Sequence, residues 1–198
     1  MTTLLHRARL RAVVDSLLAT GAKRVADLGC GDGELLERLR AHPQFEFILG
    51  IDIDPRCVAA ARTRLNLDPL QQSGTMQVIL GSFENADWLQ GPLDTAVLLE
   101  TIEHIEPSRL SKVERALFSQ VRPKQIIITT PNKEYNPLHG MSPSQKRHSG
   151  HYFEWTRAQF KHWCEGVASR QGYAVRYADI GPIDARLGSS TQLACFDG

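Results

Sequence analysis

A short apolar stretch, Arg24-Val-Ala-Asp-Leu28, runs directly into Gly29-Cys-Gly-Asp-Gly33 and then into a helical pattern from Glu34 to Ala41 that stops before Pro43. A strand that turns into a helix through a corner free of side chains is the opening unit of an α/β fold. The rest of the chain repeats the alternation. Phe45–Ile51, Met76–Leu80, Asp94–Leu99, Gln125–Thr130 and Tyr173–Tyr177 read as strands. Helical patterns run from Pro55 to about Leu65, near Pro107 to Val121, and near Thr156 to Arg170. An amphipathic helix precedes them, with Leu10, Val13, Val14, Leu17 and Leu18 at helical spacing, ending near Gly21. Thr191–Phe196 reads as a last strand, antiparallel to its neighbour. The pattern predicts a mostly parallel, seven-stranded sheet with helices on both faces.

With 198 residues the chain is expected to form one domain, with a core that needs no staples. Its 42% apolar and 23% charged residues suit a folded protein. No apolar run reaches the roughly 18 residues of a membrane span, and Met1–Leu10 lacks a secretory core, so a cytoplasmic location without membrane contact is expected. Cys30, Cys57, Cys164 and Cys195 are scattered, with no CxxC pair, and read as small apolar residues. One long stretch, 131–153, shows no element of its own, and a connection that long is either disordered or functional.

The glycine corner suits a ligand that approaches backbone N–H groups at a helix start. A dinucleotide fingerprint needs its third glycine at position 34, where this chain has Glu34; the glycine comes one residue early, at Gly33. Asp27 lies two residues before the first glycine. The stretch resembles the first motif of class I S-adenosylmethionine-dependent methyltransferases, a Rossmann-like fold. That resemblance implies a cofactor site of Asp27, Gly29, Gly31 and Gly33. Asp52 would follow at the end of the second strand for the ribose hydroxyls, Ile53 against the adenine, and Ser82 with Phe83 after the third strand. The alternative is a glycine turn that merely links a strand to a helix.

After the fourth strand comes Glu100-Thr-Ile-Glu-His104. Its acids and imidazole stand at i, i+3 and i+4, a spacing that shares one face of a helical turn. Two carboxylates and an imidazole brought together repel unless protons or a cation intervene, so a divalent metal suits the cluster; the plainer reading is the opening of a surface helix. His139, His148, His151 and His162 follow in or beside the long stretch. A further histidine from it would complete an oxygen- and nitrogen-rich set without thiolates, fit for Mn²⁺ or Mg²⁺.

Glu100-Thr-Ile-Glu-His104, Thr130-Pro-Asn-Lys-Glu-Tyr-Asn136 and His151-Tyr-Phe-Glu-Trp-Thr-Arg157 together resemble the motif series of the small-RNA 3′-terminal nucleotide 2′-O-methyltransferases, the HUA-enhancer family, over nearly the whole chain. The likeness leans to the bacterial type. It implies that Glu100, Glu103, His104 and His151 are the catalytic metal ligands, with His148 a neighbour outside the ligand set. It further implies methyl transfer from S-adenosylmethionine to the 2′-hydroxyl of the last nucleotide of an RNA. An RNA end-healing partner is implied where the domain belongs to a longer chain.

RNA contact is expected from Asn132, Tyr135, Arg147 and His148, with Tyr152, Phe153 and Trp155 nearby for stacking. At least one of Phe153 and Trp155 is expected to anchor the loop to the core instead, and Arg157 to cap structure near a helix start. The formal net charge is only +1, which on its own disfavours a nucleic-acid enzyme. An enzyme that grips only a terminal nucleotide needs few phosphate contacts, so the balance reads as a small footprint. Competing functions are a small-molecule methyltransferase in which the acid and histidine cluster is incidental, and a silent S-adenosylmethionine-binding module.

Overall fold

A computed structural model of the chain describes residues 3–68, 74–142 and 144–198. Seven strands form one sheet in the order β3-β2-β1-β4-β5-β7-β6. They are β1 Arg24–Leu28, β2 Phe47–Asp52, β3 Met76–Leu80, β4 Thr95–Leu99, β5 Gln125–Pro131, β6 Ala174–Asp184 and β7 Gly188–Asp197. The first five pair in parallel, and β7 runs antiparallel to both β5 and β6. The expected mixed sheet is thus present.

Strand alternation divides the core into two layers. Ile127 and Val97 face α1 (Leu4–Ala19), α2 (Glu34–Arg40) and α3 (Pro55–Arg64), through Leu10, Leu17, Leu36 and Ala61. Ile126, Ile128, Ala96 and Leu98 face the other side, where α4 (Leu110–Glu114) with the π turn after it, and α5 (Arg157–Gln171), bring Phe118, Phe160 and Val167. Because both faces are covered, the central strands read as continuous apolar runs rather than alternating ones.

The helix expected over 107–121 is composite. A 3₁₀ turn at Pro107–Arg109 leads into α4, and a π turn at Arg115–Val121 ends at Arg122, whose φ is +46°. β6 is longer than expected because it pairs with β7 past an irregularity between Ile180 and Ile183. α5 begins where the sequence pointed, with Thr156 and Gln159 closing a reciprocal capping box.

The long stretch 131–153 is folded rather than shapeless. Asn132 caps a 3₁₀ helix at Lys133–His139, and the residues that follow are tied by polar side chains to Glu154 and Ser190. Pro143, within this stretch, lies outside the described residues. Among the described residues no helix is long and apolar enough to cross a membrane. Of the four cysteines, all free, three are buried and Cys57 is half-buried.

Candidate active site

The glycine corner is built by close packing. Gly29 has φ +81°, and a Cβ there would lie 2.5 Å from Thr101 Cγ2, so no other residue fits. Its N–H and that of Cys30 donate to the Ile51 carbonyl at 2.8 and 2.9 Å. Gly31 N–H donates to Asp52 Oδ2 at 2.8 Å, while Asp52 Oδ1 accepts from Asp54 N–H at 2.9 Å. A Cβ on Gly31 would meet only open space. That space belongs to a cavity of about 580 Å³ at the carboxyl ends of β1, β2 and β4, where ligands of open α/β sheets bind.

Asp27, Gly29, Gly31, Asp52, Ile53, Ser82 and Phe83 all line this cavity. Gly33 does not: a Cβ there would press on Ala61 at 3.0 Å, so this glycine serves the packing of α2 against α3. Ile53 is 69% exposed, an apolar surface over the cavity. Asp27 is buried, its Oδ1 has no partner among the described residues, and burial followed by the charge of Asp52 raises its pKa to about 7. A buried acid with a free oxygen on a cavity suits a cationic group of a ligand.

Glu100 and Glu103 sit in unlike settings. Only Ile102–His104 forms a 3₁₀ turn, and Glu100 precedes it in the left-handed region at φ +53°. The three side chains therefore do not share a helical face as their spacing suggested. Glu100 Oε2 pairs with Arg9 Nη2 at 2.7 Å, and its Oε1 accepts from Thr129 Oγ1 at 2.9 Å. Burial raises the Glu100 pKa, and Arg9 works against that rise. Glu103 is fully buried; its Oε2 accepts from Thr130 Oγ1 at 3.0 Å, and its Oε1 has no hydrogen-bond partner among the described residues. Burial, then the charge of Glu100, pushes the Glu103 pKa well up.

His151 Nε2 lies 3.9 Å from that bare oxygen, a separation two ligands can span across one ion at about 2.1 Å each. Its other nitrogen, Nδ1, is held at 2.7 Å by Glu154 Oε1, which leaves Nε2 with a free lone pair. Burial works to raise the Glu154 pKa, but hydrogen bonds from His151, Asn136 and the Arg147 N–H outweigh it and hold the carboxylate down to about 2. The His104 ring centroid lies 4.7 Å from that of His151 and 5.4 Å from that of His148. The His104 pKa is lowered by burial and by the two neighbouring imidazoles. Metal-ligating atoms of the three histidines fall within 4.8 Å of one another. An orphaned buried carboxylate oxygen beside clustered imidazoles is a donor set that fits a divalent transition ion.

Three of the four residues expected to touch RNA are otherwise engaged. Asn132 is fully buried: its Nδ2 donates to the Leu187 and Ser189 carbonyls, both at 2.8 Å, and its Oδ1 accepts from Glu134 N–H. The Arg147 guanidinium donates to Asn136 Oδ1, Ser190 O and Asn132 O at 2.6, 2.9 and 2.8 Å. Tyr135 is buried, with its ring against His139. These residues shape the loop from within, because a long irregular segment must satisfy its own polar groups. Only His148 lines the cavity. Trp155 stacks on Trp163 with centroids 5.4 Å apart and packs with Phe153 against the core, so both aromatics are anchors, whereas Tyr152 is 52% exposed. Arg157 pairs with Glu134 and donates to the Arg186 carbonyl at 2.7 Å, close to the expected capping role.

Sequence reasoning missed Arg9, Thr130 and Glu154. Glu154 stands three residues after His151, a spacing that could have marked it as the imidazole's partner. Arg9, on the first helix, carries no local signal.

The family described as methyltransferase domain matches residues 25–124. The small RNA 2′-O-methyltransferase of Gallus gallus is 32% identical over 97% of this chain and 53% of its own length. The chain spans about half the length of the curated relatives it matches. The methyltransferase domain of bacterial CtHen1 superposes with a TM-score of 0.87 at 38% identity, covering 98% of this chain and 100% of that one. A chain of the Pnkp1/Rnl/Hen1 RNA repair complex has a TM-score of 0.71 at 22% identity, covering 100% of this chain and 42% of that one, a likeness of fold.

Proposed function

The chain belongs to the methyltransferase-domain family and, within it, to the small RNA 2′-O-methyltransferases, and from that premise we propose that it methylates the 2′-hydroxyl of the 3′-terminal nucleotide of an RNA. One observation carries the reading: a glycine-cornered cavity suited to S-adenosylmethionine, with the exposed His104 in its lining, opens beside the buried Glu103 and His151. Asp52 would take the ribose hydroxyls of the donor and Ile53 would cover its adenine, since both line the cavity. Asp27 offers its bare oxygen to the donor's ammonium. A good sulfonium leaving group then requires of the protein mainly in-line placement of the attacking oxygen.

Glu103, His104 and His151 would hold a divalent cation, with Glu100 beside them, and such a cation supplies acidification and orientation of a ribose hydroxyl. Glu154 keeps the proton of His151 on Nδ1, so that Nε2 presents a lone pair to the site. Arg9 offsets the charge of Glu100 and so eases the burial of two carboxylates together. Manganese, with its greater tolerance of imidazole, suits the set better than magnesium. Where the domain stands in a longer chain, association with RNA end-healing enzymes belongs to the same proposal; a chain of similar fold belongs to the Pnkp1/Rnl/Hen1 RNA repair complex.

The test incubates the protein with labelled S-adenosylmethionine, Mn²⁺ and a short RNA ending in a ribo- or 2′-deoxynucleotide, with and without EDTA. Label should appear only on the ribo end and only without EDTA. Transfer to the 2′-deoxy end, or undiminished transfer in EDTA, sinks the reading.

A further inference from the structure

Three imidazoles meet in this site, but the surrounding groups do not leave them in the same protonation pattern. His104 Nδ1 lies 3.1 Å from the Gly150 carbonyl, which can only accept, so Nδ1 carries the proton and Nε2 the lone pair. His151 Nδ1 faces the Glu154 carboxylate and is likewise the protonated nitrogen. His148 is reversed: Gly150 N–H donates to its Nδ1 at 3.0 Å, so Nδ1 holds the lone pair and the neutral ring carries its proton on Nε2. One glycine thus sets two opposite tautomers, accepting from one ring through its carbonyl and donating to the other through its N–H. A Cβ at this position would sit 3.1 Å from Nδ1 of both rings.

Proximity alone would enlist all three rings as ligands, since their nitrogens lie within 4.8 Å of one another. Tautomerism separates them. His104 and His151 offer lone pairs, and His148 offers an N–H. His148 lines the donor cavity together with His104, and no described residue accepts from its Nε2. A directed donor on a substrate cavity calls for an oxygen acceptor. The attacking 2′-oxygen is a poor target, because a hydrogen bond to it would draw off the electron pair it must deliver to the methyl carbon. The neighbouring 3′-oxygen of the same ribose is free of that conflict.

We infer that His148 is a specificity residue rather than a metal ligand, its Nε2–H donating to the 3′-oxygen of the terminal ribose. The inference rests on the RNA-methylating reading above. It makes a free 3′-hydroxyl a recognised feature of the substrate through protein contact, in addition to any contact through a cation.

Long-range ¹⁵N NMR of the metal-free protein, at a pH where the rings are neutral, should show the Nε2–H tautomer for His148 and the Nδ1–H tautomer for His104 and His151. Mn²⁺ binding followed by EPR should differ less than about two-fold between wild type and His148→Ala. Comparing kcat/KM for RNAs ending in 3′-hydroxyl and 3′-deoxy nucleotides, His148→Ala should shrink the wild-type preference about ten-fold, the worth of one directed hydrogen bond. His148→Gln, whose amide can place an N–H where Nε2 stood, should retain part of it. An Nδ1–H tautomer at His148, a ten-fold loss of Mn²⁺ affinity in His148→Ala, or an unchanged preference overturns the inference. Correct tautomers in a wild type that methylates neither RNA overturn the parent reading and with it the substrate role of His148.

Discussion

Arg9 Nη2 lies 2.7 Å from Glu100 Oε2, and the same guanidinium donates through Nε to Thr191 Oγ1 at 2.8 Å, so one side chain ties the first helix to the end of β4 and to β7. Both partners of the ion pair are largely buried, with side-chain exposures of 12% and 14%. Glu100 also holds a strained backbone, which the pair helps to fix.

Arg9→Ala should therefore destabilise the fold by roughly 3 kcal/mol, since it leaves an uncompensated buried carboxylate. For a chain of this size that is a fall in Tm of about 6–12 °C. Adding Glu100→Gln should restore part of the loss. A double mutant whose deficit is the sum of the two single deficits would show that the pair is not coupled.

Glu154 orients His151 without lining the donor cavity. Glu154→Gln should weaken Mn²⁺ binding about 10–100-fold while changing S-adenosylmethionine affinity by no more than a few-fold. Parallel titrations by EPR and calorimetry measure both. Equal losses of the two affinities would mean that the loop had collapsed.

Two glycines of the same corner should fail differently. Gly29→Ala meets Thr101 at 2.5 Å and has φ +81°, so it should lose at least about 3 kcal/mol of stability. Gly31→Ala has open space around its Cβ and should lose only about 1–2 kcal/mol, the cost of its left-handed φ of +53°. Its methyl would project into the donor space, however, and S-adenosylmethionine should bind at least ten-fold more weakly. Thermal melts with calorimetry separate the two; intact donor binding in Gly31→Ala would place the cofactor elsewhere.

The raised pKa of Asp27 makes stability depend on pH in the opposite sense to a salt-bridged acid. With a folded pKa of about 7 against 3.8 unfolded, the folded chain holds the extra proton between these values, so stability falls as pH rises from about 4 to 7. The full swing is on the order of 4 kcal/mol at most. Asp27→Asn should remove it: without cofactor the variant's Tm advantage over wild type should be largest near pH 8 and shrink toward pH 5. A difference that does not vary with pH would show that Asp27 titrates normally.

Much of the architecture was legible along the chain. Apolar runs with glycine and proline positions marked all seven strands, and the helical pattern placed the α5 start near Thr156, where the structure closes a capping box. These signals are short-range, set by backbone geometry within a few residues. The same locality explains why Asp27, Asp52 and Ser82 line one cavity as expected: each lies at or just past the carboxyl end of its strand, and parallel strands deliver those ends to one cleft.

Side-chain availability was not legible in this way. Asn132, Arg147 and Tyr135 are the residue types that bind RNA, yet the fold uses their polar groups or rings to hold the 131–153 loop together. The spacing of Glu100, Glu103 and His104 suggested one helical face, and a left-handed residue at Glu100 broke it. The sequence by itself determined the sheet, its two apolar layers and the motifs at its carboxyl edge, because hydrophobic period and turn chemistry are local properties. Only the tertiary structure decided which carboxylate Arg9 neutralises, which oxygen of Glu103 stays bare and which nitrogen of each histidine carries the proton. Those depend on hydrogen-bond partners brought together from distant segments, and a buried group's charge and tautomer are set by what surrounds it.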